Sequence, residues 1–146
     1  MSTPAPFGRM LTAMVTPFKK DGSIDWDGVE KIADHLVKTG HDGIVVNGTT
    51  GEAPTTKSSE KEEIIKVVKR VVGANIKVVS GAGDNETDYS INQAKRSEAA
   101  GADGILVVTP YYNKPPQAGI KAHFLAMANA TGLPMMLYDI PGRTGV

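Results

Sequence analysis

Apolar and polar positions along the chain alternate between short apolar runs and longer stretches of helical period. Leu11-Thr12-Ala13-Met14-Val15-Thr16-Pro17-Phe18 predicts a first strand stopped by Pro17, followed by turn chemistry at Lys20-Asp21-Gly22-Ser23. Asp25 is placed to cap a first helix, with Asp27 in its first turn. Trp26, Val29, Ile32, Ala33, Leu36 and Val37 form its buried face, and Gly40 its stop. Residues 43–47 read as a second strand. Ser59 and Glu62 have capping-box spacing ahead of Ile64, Val67, Val68 and Val71, Glu62 can pair with Lys66, and Gly73 closes this second helix behind Lys69 and Arg70. Lys77–Ser80 is a third strand. Thr87 is placed to cap a third helix with a weaker face (Ile91, Ala94, Ala99) that ends at Gly101. Ile105–Val108 is a fourth strand, continuous in its apolarity as expected for one covered on both faces. Pro115 and Pro116 open a fourth helix that presents Ile120, Phe124, Met127 and Ala128 and stops at Gly132, before a fifth strand at Met135–Tyr138.

The units repeat. Gly40-His41-Asp42-Gly43-Ile44-Val45-Val46 and Gly101-Ala102-Asp103-Gly104-Ile105-Leu106-Val107 are near copies, each passing from a helix end into a strand. A strand recurs about every 30 residues, which is the cadence of βα units in series and of a parallel sheet. An open doubly wound sheet and a closed (β/α)8 barrel share this grammar. The first strand is not followed by Gly-x-Gly-x-x-Gly, and there is no Gly-Lys-Ser/Thr loop, which weakens the nucleotide-binding version. A full barrel needs about 250 residues, so five strands and four helices would make slightly over half of one. The chain therefore reads as truncated.

Composition narrows the class. The 146 residues are 40% hydrophobic and 22% charged, with 16 basic and 16 acidic side chains, which describes a globular protein with no bias toward nucleic acid or an anionic membrane surface. The absence of cysteine excludes disulfides, thiolate metal sites and a cysteine nucleophile. The opening Met1-Ser2-Thr3-Pro4-Ala5-Pro6 does not have the form of a secretory signal, and no apolar run approaches the ~20 residues of a membrane span. A cytoplasmic location is expected.

In either architecture the loops after the strands share one face and build the site. In Asn47-Gly48-Thr49-Thr50-Gly51-Glu52 two glycines bracket two hydroxyls, so amides and side-chain oxygens can converge on a small anion; a tight turn with no ligand is the alternative. Tyr112 follows the fourth strand, and Tyr138 and Arg143 follow or end the fifth. The hydroxyls of Thr49, Tyr112 and Tyr138 offer a path for protons, and the planar fork of Arg143 matches a carboxylate. Taken singly, the tyrosines also read as amphipathic rim residues and Arg143 as a surface cation; what favours chemistry is that all fall on one predicted face. His35, His41 and His123 have no metal-ligand spacing, and no loop lysine has the apolar surroundings of an amine nucleophile. Neither a metal nor an organic cofactor is expected.

Gly48-Thr49-Thr50-Gly51-Glu52, Val108-Thr109-Pro110-Tyr111-Tyr112-Asn113 and Leu137-Tyr138-Asp139-Ile140-Pro141-Gly142-Arg143-Thr144-Gly145, in this order and spacing, resemble the dihydrodipicolinate synthase family of pyruvate-dependent class I aldolases. The likeness runs from Leu11 to the last residue. It implies a (β/α)8 barrel, with residues 1–9 as a loose lead-in and 10–146 as the N-terminal half of the barrel. It also implies a lyase of diaminopimelate and lysine biosynthesis that condenses pyruvate with L-aspartate-4-semialdehyde to 4-hydroxy-tetrahydrodipicolinate, through a Schiff base on a lysine of the sixth strand. By this resemblance Thr50 holds the pyruvate carboxylate, Tyr138 exchanges protons with the Schiff base, and Thr49 and Tyr112 relay them. Tyr112 would come across a dimer interface in a homodimer or homotetramer, and Arg143 would receive the carboxylate of the semialdehyde. A phenol, with its pKa of about 10, needs hydrogen-bonded neighbours to exchange protons at neutral pH.

Two departures follow from the same resemblance. The Schiff-base lysine is expected about 20 residues beyond Tyr138, past the last residue of this chain, so the 146-residue piece is expected to be inactive alone. Lysine-inhibited members bind lysine with histidines early in the second helix and a glutamate early in the third. Ser58, Lys61 and Tyr89 stand at those positions here, although Asn85 and Tyr111 still fit, so lysine feedback is expected to be weak. N-acetylneuraminate lyases resemble the chain in fold and pyruvate chemistry, but usually carry Ser-Thr in the first motif and lack the arginine. A non-catalytic half-barrel that dimerises and keeps a carboxylate-binding rim is the alternative from another class, and an open-sheet nucleotide binder the third.

Overall fold

The computed structural model describes residues 5–146. Five parallel strands stand side by side in chain order: β1 (Leu11–Ala13), β2 (Gly43–Val46), β3 (Lys77–Gly81), β4 (Gly104–Val108) and β5 (Met135–Tyr138). Four helices follow the first four: α1 (Trp26–Lys38), α2 (Ser58–Val72), α3 (Thr87–Ala99) and α4 (Gln117–Ala128). The sheet never reverses direction of growth. That is the order of a barrel wall, not of a doubly wound sheet with its switch point. The register pairs Thr12 with Ile44, Ile44 with Val78, Ser80 with Ile105 and Val107 with Leu137.

Period-two alternation along the strands divides the core. One face carries Ile44, Val46 and Val78 against Val29, Ala33 and Leu36 of α1 and Ile64, Ile65 and Val68 of α2. Further along the same face, Ile105 and Val107 meet Ala94 of α3 and Met127 of α4. The opposite face, the inside of the barrel wall, carries Val45 and Val79 with Leu11, Leu106 and Met136. Every residue of β2 is therefore buried, as its unbroken apolar run predicts.

The repeated Gly-x-Asp-Gly has a structural job. Asp42 accepts the N–H groups of Arg9 (2.7 Å) and Met10 (2.9 Å) at the entry to β1. Those two bonds hold its carboxyl below the ordinary range. Asp103 accepts the N–H of Val78 in β3 (2.8 Å) and meets Lys69 at 2.8 Å and Lys77 at 3.7 Å. Each aspartate thus ties its own strand entry to the neighbouring strand. The expected lead-in is partly outside the described residues (1–4); within the rest of it, Phe7 is buried in the barrel-side core against Gly104, where a Cβ would lie 2.3 Å from its ring.

Several local expectations shift. The first strand is three residues long, because Pro17 and Phe18 leave the sheet: Pro17 accepts the N–H of Asp25, and Phe18 bridges to Ile24. Helix α1 keeps Asp25 as its cap, the carboxylate accepting the N–H of Gly28. Helix α2 starts at Ser58, and its reciprocal contact is Glu60 accepting the N–H of Lys57 (2.7 Å), not Ser59 with Glu62. Glu62 pairs with Arg96 of α3 in place of Lys66. Glu86, not Thr87, caps α3, while the Thr87 hydroxyl lies 3.0 Å from His123 Nδ1. The face that α3 buries is Ser90, Gln93, Ala94 and Ser97, which is why its hydrophobic period is faint. Pro116 is the N-cap of α4, which begins one residue later than the prolines suggest. A short helical turn, α5 (Pro141–Thr144), follows β5 and was not expected. Among the described residues no helix is long and apolar enough to cross a membrane.

Candidate active site

The loop after β2 is a folded object held from three sides. Asn47 adopts a left-handed conformation (φ 56°) that ends the strand. Its Nδ2 donates to the backbone oxygen of Lys61 (3.1 Å) and to Ser80 Oγ (3.2 Å), which in turn accepts from Ser97 Oγ (3.1 Å). On the other side Thr16, buried, donates its hydroxyl to the backbone oxygen of Gly51 (2.7 Å). The loop then closes on itself: Glu52 N–H donates to Thr49 O (3.0 Å) and Ala53 N–H to Gly48 O (3.2 Å), leading into a 3-10 turn at Ala53–Thr55. Among the described residues, no protein acceptor takes the N–H of Thr49, Thr50 or Gly51. Three free amides between two hydroxyls suit a carboxylate.

The next loops pack against this one. A Cβ on Gly81 would sit 2.1 Å from the backbone oxygen of Asn47, and one on Gly83 2.5 Å from Val108 N, so the strand ends approach to backbone contact. Asp84 accepts the hydroxyl proton of Tyr111 at 3.0 Å and the N–H of Asn85 at 2.8 Å. Burial, the Asp84 charge and this hydrogen bond push the Tyr111 phenol up to about 12, which leaves it a committed donor. Asn113 reaches back to the backbone oxygen of Asn85 (3.1 Å). Tyr112 stands out of this tightly bonded group: its φ is 71° and its side chain is 89% exposed. At β5, Tyr138 is half-buried, and its backbone oxygen accepts the N–H of Thr109 (3.1 Å). Arg143 is exposed on α5.

A cavity of about 590 Å³ opens among these loops, and Thr49, Tyr112, Tyr138 and Arg143 all line it. Four of the five residues singled out in the sequence are thereby brought together. Thr50 is exposed and does not line this cavity. Among the described residues no hydrogen bond joins the hydroxyls of Thr49, Tyr112 and Tyr138, so a relay through all three is not closed within one chain. The supporting residues Thr16, Asn47, Ser80 and Ser97 carried no functional signal in the sequence. Of the four, only Asn47 falls in the stretch singled out in the sequence, directly before Gly48. The histidines stay apart: His41 Nδ1 lies 2.9 Å from the backbone oxygen of Leu36, and His123 is buried in α4, where burial lowers its pKa. Among the described residues no group of acidic or histidine side chains is placed to hold a metal.

Parallel strands in sequential order, with helices outside and a hydroxyl-rich cavity at the strands' C-terminal ends, define the N-terminal portion of a (β/α)8 barrel with its site on the usual face. Residues 6–146 match the Dihydrodipicolinate synthetase family. The 4-hydroxy-tetrahydrodipicolinate synthase of Acidothermus cellulolyticus is 61% identical over 142 residues, an alignment covering 97% of this chain and 46% of that protein. The 4-hydroxy-tetrahydrodipicolinate synthase 2 of Streptomyces coelicolor is 58% identical over 146 residues, covering 99% and 49%. A crystal structure of DHDPS from Cyanidioschyzon merolae with lysine bound superposes with a TM-score of 0.94 at 53% identity, covering 97% of this chain and 48% of that one. The chain belongs to the dihydrodipicolinate synthetase family. It spans about half the length of the curated relatives it matches.

Proposed function

We propose that the protein carrying this chain is a lyase that condenses pyruvate with L-aspartate-4-semialdehyde to give 4-hydroxy-tetrahydrodipicolinate, in the diaminopimelate route to lysine. The observation that carries this reading is the convergence of Thr49, Tyr112, Tyr138 and Arg143 on one cavity beside three unpaired loop amides. A lysine amine supplied from a later strand adds to the pyruvate ketone and water leaves. The resulting enamine forms the new carbon–carbon bond at the aldehyde. Tyr138, on the cavity wall, would give and take the protons of these steps. Thr49 would pass them on, and Thr50, exposed beside it in the same loop, would hold the pyruvate carboxylate together with the free amides of that loop. Arg143, exposed at the rim, would meet the second carboxylate as it arrives.

The exposure and left-handed backbone of Tyr112 support a role in a neighbouring copy's site: a phenol held out at 89% exposure from an otherwise bonded loop has contacts to make elsewhere. Self-association as a homodimer or homotetramer and a cytoplasmic location belong to the same reading. Lysine feedback would be weak, because the buried ammonium of Lys61 stands at a position used for a cationic effector in lysine-inhibited members.

The test is Tyr138→Phe in the full-length protein, which removes only the hydroxyl. A drop in kcat of about 10²–10⁴ is expected for loss of a positioned acid–base group. Pyruvate should remain trappable by borohydride as a protein adduct, while the 146-residue chain alone should keep its mass under the same treatment. Full activity in the phenylalanine variant, or no pyruvyl adduct in the wild-type full-length protein, would overturn the assignment.

A further inference from the structure

The loop that carries Thr49 and Thr50 is bracketed by two left-handed residues, Asn47 (φ 56°) and Glu52 (φ 54°). Asparagine enters this region readily, whereas a glutamate there holds strain that persists only while its surroundings fix the backbone. Glu52 is exposed, and its side chain makes no capping bond to the turn that follows. What fixes this end of the loop therefore comes from elsewhere in the chain.

The bonds inside the loop depend on one another, because each trans peptide plane points its C=O and its N–H in opposite directions. The Glu52 N–H meets Thr49 O (3.0 Å), so the oxygen of the same peptide, that of Gly51, faces away from the turn, where Thr16 Oγ1 donates to it at 2.7 Å. Thr49 O, turned toward Glu52, leaves the N–H of Thr50 on the opposite side. Gly48 O, turned toward Ala53, does the same for the N–H of Thr49. These are two of the three amides without a protein acceptor among the described residues. Among those residues, no other side chain distant in sequence hydrogen-bonds the turn from Thr49 to Glu52. Thr16 is 7% exposed and packs close to the turn: a Cβ on Gly51 would lie 3.1 Å from Met14 O and 3.2 Å from Thr16 Oγ1.

We propose that Thr16 is a positioning residue for the pyruvate carboxylate. Its hydroxyl fixes the Gly51–Glu52 peptide and, through Thr49 O, the direction of the free amides. The proposal rests on the reading that this loop receives that carboxylate. Without the hydroxyl the buried oxygen of Gly51 is left unpaired. Rotating the Gly51–Glu52 peptide relieves both that loss and the strain at Glu52, and it swings the Thr50 N–H off its target. A carboxylate is held alike in the ground and transition states, so the loss falls on KM for pyruvate and leaves kcat nearly unchanged.

The test compares Thr16→Val, Thr16→Ala and Thr16→Ser in the full-length protein, by steady-state condensation and by borohydride trapping of pyruvate. Valine keeps the shape and loses the donor. The pyruvate concentrations for half-maximal rate and half-maximal trapping should rise at least about tenfold, with kcat and the KM for the semialdehyde within about threefold of wild type. Serine keeps the hydroxyl and should hold both pyruvate values within about threefold of wild type. Alanine reads the same bond should the valine variant fail to fold. A merely structural role would lower the melting temperature and the fraction of active protein without shifting half-saturation for one substrate. Unchanged half-saturation in the valine and alanine variants, with a pyruvyl adduct in the wild type, would overturn the role of Thr16 alone, and so would an equal rise in the serine variant. Absence of the adduct in the wild type would overturn the reading of the loop and this role with it.

Discussion

Replacing Gly81 by alanine tests how rigidly β3 seats the loop that carries Thr49. The added Cβ would lie 2.1 Å from the backbone oxygen of Asn47, 2.7 Å from its carbonyl carbon and 3.2 Å from Gly48 N. Ordinary contact begins near 3.4 Å, so the Asn47–Gly48 peptide must retreat by over 1 Å. It has little freedom to do so. Asn47 is 3% exposed and anchored to Lys61 and Ser80, and the atoms in the way are backbone, not a flexible side-chain tip. Thr49 follows two residues later and moves with them. A displacement of about 1 Å in a positioned group costs on the order of 10²-fold in rate, and overpacking of this kind about 1–3 kcal/mol in stability. The assay is steady-state condensation by the full-length protein, with borohydride trapping of pyruvate measured separately. Gly119→Ala in helix α4 is the control: its nearest neighbours, Pro115 and Pro116, would be 3.5 Å away, so activity should be unchanged and stability should rise by up to about 1 kcal/mol. A Gly81→Ala enzyme within threefold of wild type in kcat/KM would refute the reasoning.

Three further outcomes follow from packing and charge. Asp103→Ala strands the Val78 N–H and leaves Lys69 without its partner, so urea unfolding should show a loss of about 2–3 kcal/mol. Burial works to raise the Asp103 pKa, but the Lys69 and Val78 hydrogen bonds and the nearby Lys77 outweigh it and hold it below 3.8. The stabilisation is therefore full above that value and disappears as pH falls through the lower folded-state pKa. Asp103→Asn should flatten this acid limb of a stability-versus-pH curve. Glu86→Ala removes the acceptor for two N–H groups at the start of α3 and should cost about 1 kcal/mol, whereas Thr87→Ala should leave that cap intact. Arg70→Ala breaks a 2.5 Å pair with Glu30, but both side chains are exposed, so the unfolding free energy should change by no more than about 0.5 kcal/mol.

Elements with a dominant local signal could be read directly from the residues. The fifth strand lies at Met135–Tyr138 as its apolar run predicts, and α1 takes Asp25 as its cap and stops before Gly40. Expectations failed where a tertiary partner outbid the local one. Glu62 has Lys66 one turn away, yet reaches across to Arg96 on the next helix. The buried face of α3 is polar because Ser90, Gln93 and Ser97 bond to Asp84, Ser58 and Ser80, partners outside the helix that its own periodicity cannot reveal. The strand-end loops could be read as one rim, since βα order alone puts them on the same face. That Thr50 stands outside the cavity the other four line could not.

By itself, then, the order of residues determined the βα alternation, the parallel sheet and the group of loops that would hold the chemistry, because periodicity and turn composition act within a few residues of one another. Only the tertiary structure decided what holds those loops and what charges they share. Thr16 braces the loop after β2 from 35 positions away, Asn47 is tied to Ser80 across 33, and Lys61 faces a cavity with no carboxylate paired to it among the described residues. These contacts depend on which strand ends meet. Closing distances of that kind is done by packing of the whole core, not by any local preference of the segments involved.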